Sequence, residues 1–533
     1  MKRALVFMNK SQPITFNTWV GGVSATISTD ALLATKLGIS VGRIENFTIV
    51  GSDIQCTITG SYTLPDGVFN IDANITYYKD TSGLITSCIG NSHFNECLKL
   101  KYVYFPENTR FGNSSFAMSS QIPTDLEYIY SPKCTTIGTT TTNQNCFLNR
   151  IGEYFIYVHP SMATSNGGGV EGDLADAITR YATVRYVANY TAPNPVTTLA
   201  AGTIYNTSVQ LNFTAPTGST NAIDYYECYA NGIFKRNVKA SGRFIADLTA
   251  NSLQSLTVYA VDIYMNKSVV SNTISPTTTN RTAVDTDAIA YITASSNSVY
   301  QDIIDDAFAS LKTASLYTKV QAWYIMLGTT STQQKWNAKS PLDLDASFRL
   351  VFSGGGTFSN LGYQLNGTNA FAETYFVPSA QQNVNSNGAT IVTGTNNSCP
   401  VVAVELGSYN GGTQASFIAS KRLTGGRKDA HFNGSVITQE VGTNESRCIL
   451  TGMRTSSSVS KLFKNGVLIG TGSGGGTLPT FGFQIGRLSL ANGQYSNQRI
   501  QTVMFHEGLS DAEAIALQGI IDTFENALGR KTW

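Results

Sequence analysis

Charged side chains are scarce in this sequence of 533 residues. Asp, Glu, Lys and Arg make up 13% of it, and the formal net charge is +1. A protein that binds DNA or RNA needs a basic face that displaces the counterions of the phosphate backbone. The basic residues are dispersed, and short pairs such as Lys421-Arg422 are typical of solvated loops. We therefore expect no nucleic-acid partner.

Long apolar runs are also missing. No stretch approaches the roughly 20 apolar residues of a membrane-spanning helix. The opening sequence, MKRALVFMNKSQP, begins with basic residues but contains only the short apolar run ALVFM. A secretory signal has a longer apolar stretch and a small-residue cleavage site. We expect no membrane insertion, and we interpret this stretch as the first strand of the protein.

Cysteine and histidine do not occur in metal-binding patterns. The eight cysteines include no C-x-x-C pair, and the four histidines are scattered, so the spacing of zinc and iron–sulfur sites is absent. No acidic cluster suggests calcium. We therefore expect no metal and no cofactor. Free thiols are compatible with assembly in a reducing cytoplasm.

Glycine and aromatic residues, by contrast, are abundant, with 48 Gly, 26 Tyr and 26 Phe. Aromatic residues favour strands and glycine favours turns, so the composition predicts a mainly β protein. A chain of this length exceeds what one hydrophobic core supports, which predicts several domains. The predicted units are a small β unit at 1–80, a repeat region at 81–190, a sandwich at 191–276, a helical lead at 284–340 and a second sandwich at 341–533.

The part of the chain at 284–533 has start and stop signals of one continuous module. After a helical lead comes the phrase KWNAKSPLDLDASFRLVFSGG at 335–355. The closing segment, LSDAEAIALQGIIDTFENALGR, begins with the capping-box pair Ser510 and Glu513 and reaches a natural helix stop at Gly529. Its predicted buried face consists of Leu517, Ile521, Phe524 and Leu528.

This phrase and closing helix resemble the C-terminal module of tailed-phage appendage proteins, in which a helical lead precedes a concanavalin/laminin-G-like β-sandwich. The resemblance implies a virion protein, either a head fibre or a tail-associated protein, assembled in the bacterial host cytoplasm. It implies as partners other virion proteins and a glycan or protein of the bacterial surface used for host attachment. The N-terminal unit is then the candidate virion anchor. We expect a homo-oligomer, with a trimer the ordinary state of fibres, although no heptad shaft enforces one.

The helical lead shows an apolar stripe with helical spacing. Val299, Ile303, Ala307, Phe308 and Leu311 occupy one face of the first predicted helix. The stripe continues in the next stretch, which predicts a second helix. The residues that extend the stripe are Leu316, Val320 and Trp323.

The region at 81–190 contains a weak internal repeat in three copies, at 89–106, 111–132 and 137–160. Each copy opens with an apolar residue plus Gly and ends in a short aromatic strand closed by proline. The period falls in the leucine-rich-repeat range. The phrase IGNSHFNECLKL in the first copy resembles the bacterial surface-protein subclass of these repeats. The alternative is an irregular β region with coincidental aromatic strands.

Tyrosines recur at the strands of these copies. If Val103, Phe105 and Ile129 face the core, the alternation of side chains along a strand directs the intervening tyrosines outward. In the third copy the register shifts by one residue, and a further tyrosine extends the row. Such a row suits protein or sugar recognition; the alternative is that it packs against a neighbouring subunit or domain. The candidate binding residues are Tyr102, Tyr104, Tyr128, Tyr130 and Tyr157.

The region at 191–276 alternates apolar and polar residues in VQLNF and LTVYA, and Asn231-Gly232 marks a hairpin turn that requires positive φ. It resembles a fibronectin type III domain, a sandwich that needs no disulfide. The Thr-rich segment PTTTNRT at 276–282 is interpreted as an exposed linker, a preferred site of proteolytic nicking.

Strand-like stretches and an Asn465-Gly466 hairpin turn predict the second sandwich. Ligand-binding loops of such sandwiches lie at one rim. The alternative is that the polar and aromatic residues of these loops are ordinary loop residues, because a single sequence does not show that their side chains converge on one site. The candidates are Tyr409, Asn410, Arg422, His431 and Arg447.

Motifs of catalysis are missing from the sequence. Glycosidases of the concanavalin-like fold carry carboxylates in the spacing E-x-D-x-x-E, whereas Glu405 is isolated. No G-x-S-x-G elbow occurs, and the glycine-rich stretches SGGGTFS and TGSGGGTLP read as flexible loops without a phosphate-binding lysine. We predict a non-catalytic virion appendage that binds glycan on the host surface. A purely structural virion protein and a glycan depolymerase are the alternatives.

The fold class that follows is mainly β and multidomain. It comprises a leucine-rich-repeat-like solenoid, a fibronectin type III sandwich and a concanavalin/laminin-G-like β-sandwich with flanking helices.

Overall fold

The computed structural model of this protein describes most of the chain beyond residue 16. The first predicted strand and Cys399 lie outside the described residues, and so do the side chains of Arg422 and His431. The described residues are 17–72, 74–81, 83–88, 92–118, 122–123, 126–137, 146–151, 154–163, 173–179, 182–188, 191–397, 403–411, 414–422, 427–432, 435–439, 446–473, 475–489 and 494–533.

The protein is mainly β and multidomain, as the sequence predicts. Its first domain is a leucine-rich-repeat-like solenoid of short strands, and its described residues include helices α1 (Asp30–Leu37) and α2 (Asp173–Thr179). The strands are β1 Thr18–Gly21, β2 Ile44–Val50, β3 Asp53–Ile58, β4 Tyr62–Thr63, β5 Tyr77–Asp80, β6 Ile85–Ser87, β7 Tyr102–Tyr104, β8 Arg110–Phe111, β9 Ile122–Pro123, β10 Tyr128–Tyr130, β11 Thr136–Ile137, β12 Arg150–Ile151, β13 Phe155–Val158 and β14 Thr183–Tyr186.

One eight-stranded sheet runs through this domain, in the order β14-β13-β10-β7-β5-β1-β3-β2. The five strands from β5 to β14 are parallel and in register, each one coil of about 25–28 residues from the next. The sequence repeat identified the middle three strands, β7, β10 and β13. Strands β5 and β14 add one further strand at each end. Parallel pairing of this kind arises because each coil cannot bury its apolar face alone and stacks on its neighbours.

The boundary predicted between residues 80 and 81 is wrong. Strands β1, β3 and β2 continue the solenoid sheet by antiparallel pairing, and β1 pairs directly with β5. One hydrophobic core extends from Val20 to Ala182. Ile54, Cys56 and Ile58 alternate with less buried residues along β3, but alternation along a strand does not reveal which sheet the strand joins.

The interior of the solenoid contains a stack of phenylalanines, one from each successive coil. Neighbouring ring centroids are 5.6–5.7 Å apart, a favourable spacing for aromatic pairs. The stacked residues are Phe69, Phe94, Phe116 and Phe147. The seven described cysteines are buried, and none of them is in a disulfide.

The second domain is fibronectin type III-like. Its strands are β15 Thr197–Ile204, β16 Val209–Thr214, β17 Ile223–Ala230, β18 Ile233–Val238, β19 Arg243–Ile245 and β20 Leu256–Asp262. They form two three-stranded sheets, β15-β16-β19 and β18-β17-β20. Asn231 and Gly232 make the predicted hairpin turn with φ values of 52° and 75°. The following chain bonds along β20, since Ile274 and Leu256 exchange main-chain hydrogen bonds.

The segment predicted as an exposed linker is not free. Thr278 is 2% exposed, and its hydroxyl accepts a hydrogen bond from the Ser252 amide at 3.0 Å. The Asn206 side chain accepts from the Arg281 amide at 2.7 Å and from the Thr279 hydroxyl at 2.9 Å. A Thr/Asn-rich composition resembles that of a linker, but here the polar side chains tie the segment to the fibronectin domain.

The third part of the chain contains helices α3 Thr286–Ser295, α4 Gln301–Thr313, α5 Ser331–Gln334, α6 Pro378–Gln381 and α7 Asp511–Ala527. Its strands are β21 Val320–Ile325, β22 Val351–Ser353, β23 Thr357–Ser359, β24 Gly362–Gln364, β25 Phe371–Glu373, β26 Asn387–Thr393, β27 Leu406–Tyr409, β28 Ala415–Arg422, β29 Arg427–Phe432, β30 Ser435–Gln439, β31 Cys448–Ser456, β32 Val459–Lys464, β33 Val467–Gly472, β34 Gln484–Ile485 and β35 Arg499–His506.

These strands form a β-sandwich of two sheets. One has the order β23-β24-β35-β26-β31-β32-β33, with β21 also paired to β35, and the other has the order β22-β25-β34-β27-β28-β29-β30. A buried cluster that includes Leu406, Ile418 and Val503 lies between the sheets. Helices α3, α4 and α7 cover the outer face of the first sheet through a second cluster.

The predicted second helix of the lead is wrong, because Val320–Ile325 is strand β21. Ala322 and Tyr324 point into the sandwich core, whereas Trp323 and Ile325 point toward the helices. A strand buried on both faces reads as a continuous apolar run, which sequence periodicity does not separate from a helix. Val299, assigned to the first stripe, precedes α4 and is 58% exposed; the other four residues of the stripe are buried.

The closing helix matches its prediction. Ser510 and Glu513 form a capping box, and Gly529 follows the helix with φ +69°. The four predicted core residues are 1–6% exposed. A buried ion pair not foreseen from the sequence joins Glu525 to Arg530, with two nitrogen–oxygen distances of 2.7 Å.

The fibronectin domain docks on this third part. Its Tyr205 and Phe244 belong to the same apolar cluster as α3, α4 and α7. The Asn526 side chain donates to the Gly242 carbonyl at 3.1 Å, and the Asn206 amide donates to an Asp302 carboxylate oxygen at 2.7 Å. The two domains therefore share a continuous core.

We predict that limited proteolysis of the full chain spares the bonds between Pro276 and Arg281. Asn206→Ala removes the side chain that holds Thr279 and Arg281, so cleavage in this segment should become much faster. The exposed Thr277 provides the control Thr277→Ala, which should cut at the wild-type rate. Rapid cutting of the wild-type segment, mapped by mass spectrometry, would contradict the docked arrangement.

Candidate functional site

The tyrosines of the solenoid form two rows on the face opposite its core. In one row Tyr77, Tyr102 and Tyr128 stack with ring centroids 4.9–5.0 Å apart. In the other, Tyr104 and Tyr130 stack at 4.7 Å. Val103 and Ile129 point into the core between them. This is the side that strand alternation predicts.

Tyr157 extends the second row, as predicted. It pairs with Tyr130, while Ile156 pairs with Ile129. The sequence did not identify two further members, Tyr77 and Trp19, which belong to the same aromatic cluster. Their own strands lie before the first recognised copy, so no repeat pointed to them.

The expectation that these rings lie open to solvent is wrong for most of the row. Tyr102 and Tyr130 are 3% and 6% exposed, and Tyr157 is fully buried. Tyr264 and Met265 of the fibronectin domain pack against the cluster. The row therefore packs against a neighbouring domain of the same chain, the alternative considered from the sequence.

Charged residues reinforce this contact at the last coil. Arg185 donates to the Ile263 carbonyl at 2.5 Å and lies 3.3 Å from an Asp224 carboxylate oxygen. Its guanidinium also stacks over the Phe155 ring at 4.4 Å. A partly buried arginine with a carboxylate, a carbonyl and an aromatic face is well suited to fix one domain on another.

The five candidates of the second sandwich do not form one site. Tyr409 pairs with Ala415 at one end of β28, whereas Arg422 ends that strand, roughly 20 Å away at 3.3 Å per residue. Asn410 is adjacent to Tyr409 and bonds the Thr480 hydroxyl at 3.3 Å. His431 lies within β29. Arg447 lies on the other sheet's side of the sandwich, where it lines a cavity next to the fibronectin domain.

A different part of the sandwich presents a groove of about 370 Å³. We call it the aromatic groove. It lies between α5, the strands β22–β24 and their connecting glycines. Its lining residues are Ser331, Thr332, Lys335, Arg349–Gly356, Phe358 and Tyr363. Its volume falls in the range of small-molecule binding sites, about 300–1,000 Å³.

Three rings form the apolar wall of the aromatic groove. Phe352 contacts Phe358 and Tyr363, each with a centroid distance of 4.8 Å, and Phe358 stacks on Tyr363 at 5.0 Å. Phe352 and Phe358 are only partly buried. The groove therefore offers partly accessible aromatic surface beside serine, threonine and cationic groups, the combination that orients amphipathic ligands.

The glycines of SGGGTFS make a tight wall rather than a flexible loop. Gly354 has φ +79°, and a Cβ there would lie 1.8 Å from the Asn369 carbonyl oxygen. A Cβ on Gly356 would meet the Tyr363 ring at 2.5 Å. Only glycine permits this close approach of the chain to its neighbours.

The polar rim of the groove is built by the phrase that opens the sandwich. Lys335 pairs with Asp343 at 2.5 Å, and Arg349 pairs with Asp343 at 2.9 Å and Asp345 at 2.8 Å. Hydrogen bonds from Lys335 and Arg349 lower the pKa of Asp343. The sequence resemblance rested on this phrase, but its residues gave no indication that it borders a groove.

The phrase is anchored by a buried asparagine. Asn337 is 1% exposed; its side chain accepts from the Trp323 amide at 2.9 Å and donates to the Ser347 carbonyl at 3.1 Å. Leu350 donates its amide to the Lys335 carbonyl at 2.7 Å. These bonds hold both ends of the phrase together and fix Lys335 beside Arg349.

No protein-family model and no curated protein matches this chain. Solved structures match parts of it. The fibronectin type-III domain of human fibronectin type III domain containing protein 3 is 16% identical, with 18% of this chain and 93% of that chain covered and a TM-score of 0.17.

Two further solved structures also match parts of the chain. Domain 4 of AbnA, a GH43 extracellular arabinanase from Geobacillus stearothermophilus, in complex with arabinotriose, is 11% identical; 38% of this chain and 98% of that chain are covered, with a TM-score of 0.29. The Yersinia enterocolitica family 28 exopolygalacturonase is 16% identical over 17% of this chain and 21% of that chain, with a TM-score of 0.15. Identities and scores this low assign no activity.

Glu405, the isolated carboxylate of the sequence, is buried beside β27. It accepts a hydrogen bond from the Ser420 amide at 2.5 Å and from the Ser496 hydroxyl at 3.0 Å. Burial raises the pKa of Glu405 to about 7. Such a pKa suits a general acid, but Glu405 does not line the aromatic groove, and its described partners are groups that hold neighbouring strands together.

Two findings concern membranes and metals. None of the helices in the described part of the chain has the length and apolar character to span a bilayer. Among the same residues, no three or more His, Cys, Asp or Glu side chains are grouped as metal ligands.

We predict that Tyr157→Ser destabilises the full chain by about 3–5 kcal/mol, the range for truncation of a large buried aromatic side chain. Leu98→Ser is the control, because Leu98 is 41% exposed in the same domain and surface changes stay within about 0.5 kcal/mol. Urea denaturation monitored by circular dichroism measures both. Equal stability of Tyr157→Ser and wild type would show that the fibronectin domain does not cover the row.

Glu405 should make stability depend on pH. Its pKa in the folded state is about 7, above the value of about 4.3 expected in the unfolded chain. The folded state therefore favours the protonated form, and this stabilisation is complete below about pH 4.3 and is lost as pH rises through 7.

Glu405→Gln mimics the protonated form. It should melt at a higher temperature than wild type at pH 8, by the equivalent of roughly 2–4 kcal/mol, and at a similar temperature at pH 4. Glu507→Gln, at an exposed position, should leave both values unchanged. Parallel melting curves of Glu405→Gln and wild type at all pH values would refute the raised pKa.

Proposed function

We propose that this protein is a non-catalytic glycan-binding component of a phage virion, and that the aromatic groove of its C-terminal sandwich takes the sugar. The observation that carries the proposal is the groove itself. Partly exposed rings at 352 and 358 lie beside a fixed cationic and hydroxyl rim. Sugars present an apolar face and a ring of hydroxyls, and both have counterparts here.

The virion setting rests on the sequence resemblance. The phrase at 335–355 that carries it also builds the groove rim, which links the resemblance to the candidate site. In this proposal the protein is assembled in the bacterial cytoplasm with other virion proteins. It forms a homo-oligomer and displays the groove to the host surface.

The proposed role is binding rather than hydrolysis. Glycoside hydrolysis ordinarily needs two carboxyl groups, one with a raised pKa to act as acid. The described lining of the groove has no carboxylate. Asp343, paired with two rim residues, has its pKa lowered by them, so it stays ionised and does not serve as an acid at neutral pH.

The test is a glycan array of bacterial-surface oligosaccharides, read with the full-length wild type and followed by calorimetry on each hit. Phe358→Ala removes one ring of the groove wall and should weaken binding at least tenfold, which corresponds to about 1.4 kcal/mol. Phe358→Tyr keeps the ring and should retain binding. Phe481→Ala, at a ring that is 43% exposed outside the groove, is the matched control.

Three outcomes would change the assignment. Equal loss in Phe358→Ala and Phe481→Ala would move the site elsewhere. No binding to any glycan would favour the purely structural virion role. Release of reducing sugar from host capsule would establish a depolymerase.

A further inference from the structure

A second cavity, of about 60 Å³, lies between the fibronectin domain and the tail that follows α7. We call it the basic pocket. Tyr225 and Asn237 line one side, and Trp533 lines another. Five cationic side chains surround it: Arg236, Lys239, Arg243, Arg447 and Lys531. A cavity of this size admits ordered water or a small ion.

Two of these cations already have carboxylate partners. Lys239 pairs with Asp224 at 2.8 Å, and Lys531 pairs with Asp522 at 2.5 Å. These acids offset the two lysines. Arg236 and Arg243 add two further positive charges, which the carboxylates of Asp247 and Asp522 offset only in part, because both guanidinium pKa values remain lowered.

Arg236 and Arg243 bond main-chain oxygens. Arg236 donates to the carbonyls of Phe244 and Lys531, at 3.0 and 2.9 Å, and Arg243 donates to Trp533 at 2.6 Å. The second amino nitrogen of Arg243, Nη1, is buried and has no hydrogen-bond partner in the described part of the chain. A buried donor of a charged group without an acceptor is costly.

An acceptor in the same pocket is also unsatisfied. Asn237 Oδ1 is buried and has no donor among the described residues. A ligand that satisfies both atoms must accept from a guanidinium and donate to an amide oxygen. Hydrogenphosphate does both, because it carries anionic oxygens and one P–OH group, whereas sulfate at neutral pH has no proton to donate.

The lowered pKa values of two arginines also favour a bound anion. Burial, reinforced by the charge of Arg243, lowers the pKa of Arg236, to about 10 overall. Burial also lowers the pKa of Arg243. Arg236 and Arg243 are both partly buried, so water only partly screens the repulsion between their guanidinium ions, and an anion between them relieves it.

We propose that the basic pocket binds a phosphate group, held by Arg243 and the neighbouring cations, with Asn237 accepting from its hydroxyl. The group is either free inorganic phosphate or the monoanion of a phosphomonoester, which keeps one P–OH at a pH near or below its second pKa of about 6. The site is separate from the aromatic groove, so the proposal of phosphate binding does not depend on glycan binding. Because the pocket is formed by two domains, bound phosphate also strengthens their contact.

The test is calorimetric titration of the full chain at constant ionic strength, with sodium chloride as the reference. Inorganic phosphate should bind saturably and more tightly than sulfate. Glucose 6-phosphate forms the second arm, at pH 6, where about half of it is the monoanion that carries a P–OH. Binding of both phosphates indicates an open site for esters, and binding of inorganic phosphate alone indicates a closed one. Arg243→Gln should weaken phosphate binding at least tenfold, and Lys99→Gln, an exposed charge in the solenoid, should not change it.

Folding of each variant is checked by its melting temperature in chloride. If Arg243→Gln fails to fold, Asn237→Ala replaces it, because it removes the buried amide oxygen that accepts from the phosphate hydroxyl and should lower affinity about fivefold. Phosphate should raise the melting temperature of the wild type and not that of the pocket variant. Failure of the wild type to bind phosphate above its response to chloride would overturn the proposal, as would unchanged affinity in the pocket variant.

Discussion

The buried pair between Glu525 and Arg530 is the interaction on which the arrangement of the C-terminal half depends. Both side chains are fully inaccessible to solvent, and removing one partner of such a pair ordinarily costs about 3–5 kcal/mol, because the other charge remains buried. Arg530 also donates to the Met326 carbonyl just beyond β21, and Glu525 accepts from Thr502 in β35. One ion pair thus ties the closing helix to two adjacent strands and directs the tail toward the fibronectin domain.

The fibronectin domain is a connector rather than a spacer. One side of it covers the tyrosine rows of the solenoid, and another contributes Tyr205 and Phe244 to the helical cluster of the sandwich. A domain that buries apolar surface on two neighbours restricts their relative motion, whereas small polar contacts leave domains free to move. The aromatic groove and the basic pocket lie on this connected part of the chain.

The sequence correctly predicted the elements that depend on residues close to one another in the chain. The capping box at Ser510, the Asn231-Gly232 and Asn465-Gly466 turns and the alternating strands of the fibronectin domain depend on neighbouring residues, and each formed as predicted. The predictions for strand β21 and for the 276–282 segment were wrong. Burial of a strand on both faces, and side-chain hydrogen bonds to distant residues, produce no pattern in the neighbouring sequence. The aromatic groove was missed for the same reason. Its lining comes from one stretch, 331–363, but which side chains of that stretch share a groove depends on how α5 and β22–β24 pack together. Glycines that look flexible in a sequence can also be the tightest points of a fold.

The in-register coils of the solenoid have a consequence for how this protein can evolve. Adding one coil displaces everything beyond it by about 4.8 Å, the distance between neighbouring strands. An insertion between β10 and β13 would move Arg185 of the last coil away from the tyrosine rows of the earlier coils. The fibronectin domain could then no longer contact the tyrosine rows and Arg185 at the same time. Coils added between β1 and β5 would keep β5 to β14 matched to the fibronectin surface and would displace only Trp19 and the other residues of the antiparallel strands. Lengthening of the solenoid is therefore tolerated in one direction only, and homologous chains should differ in coil number at their N-terminal side while keeping the coils nearest the fibronectin domain constant.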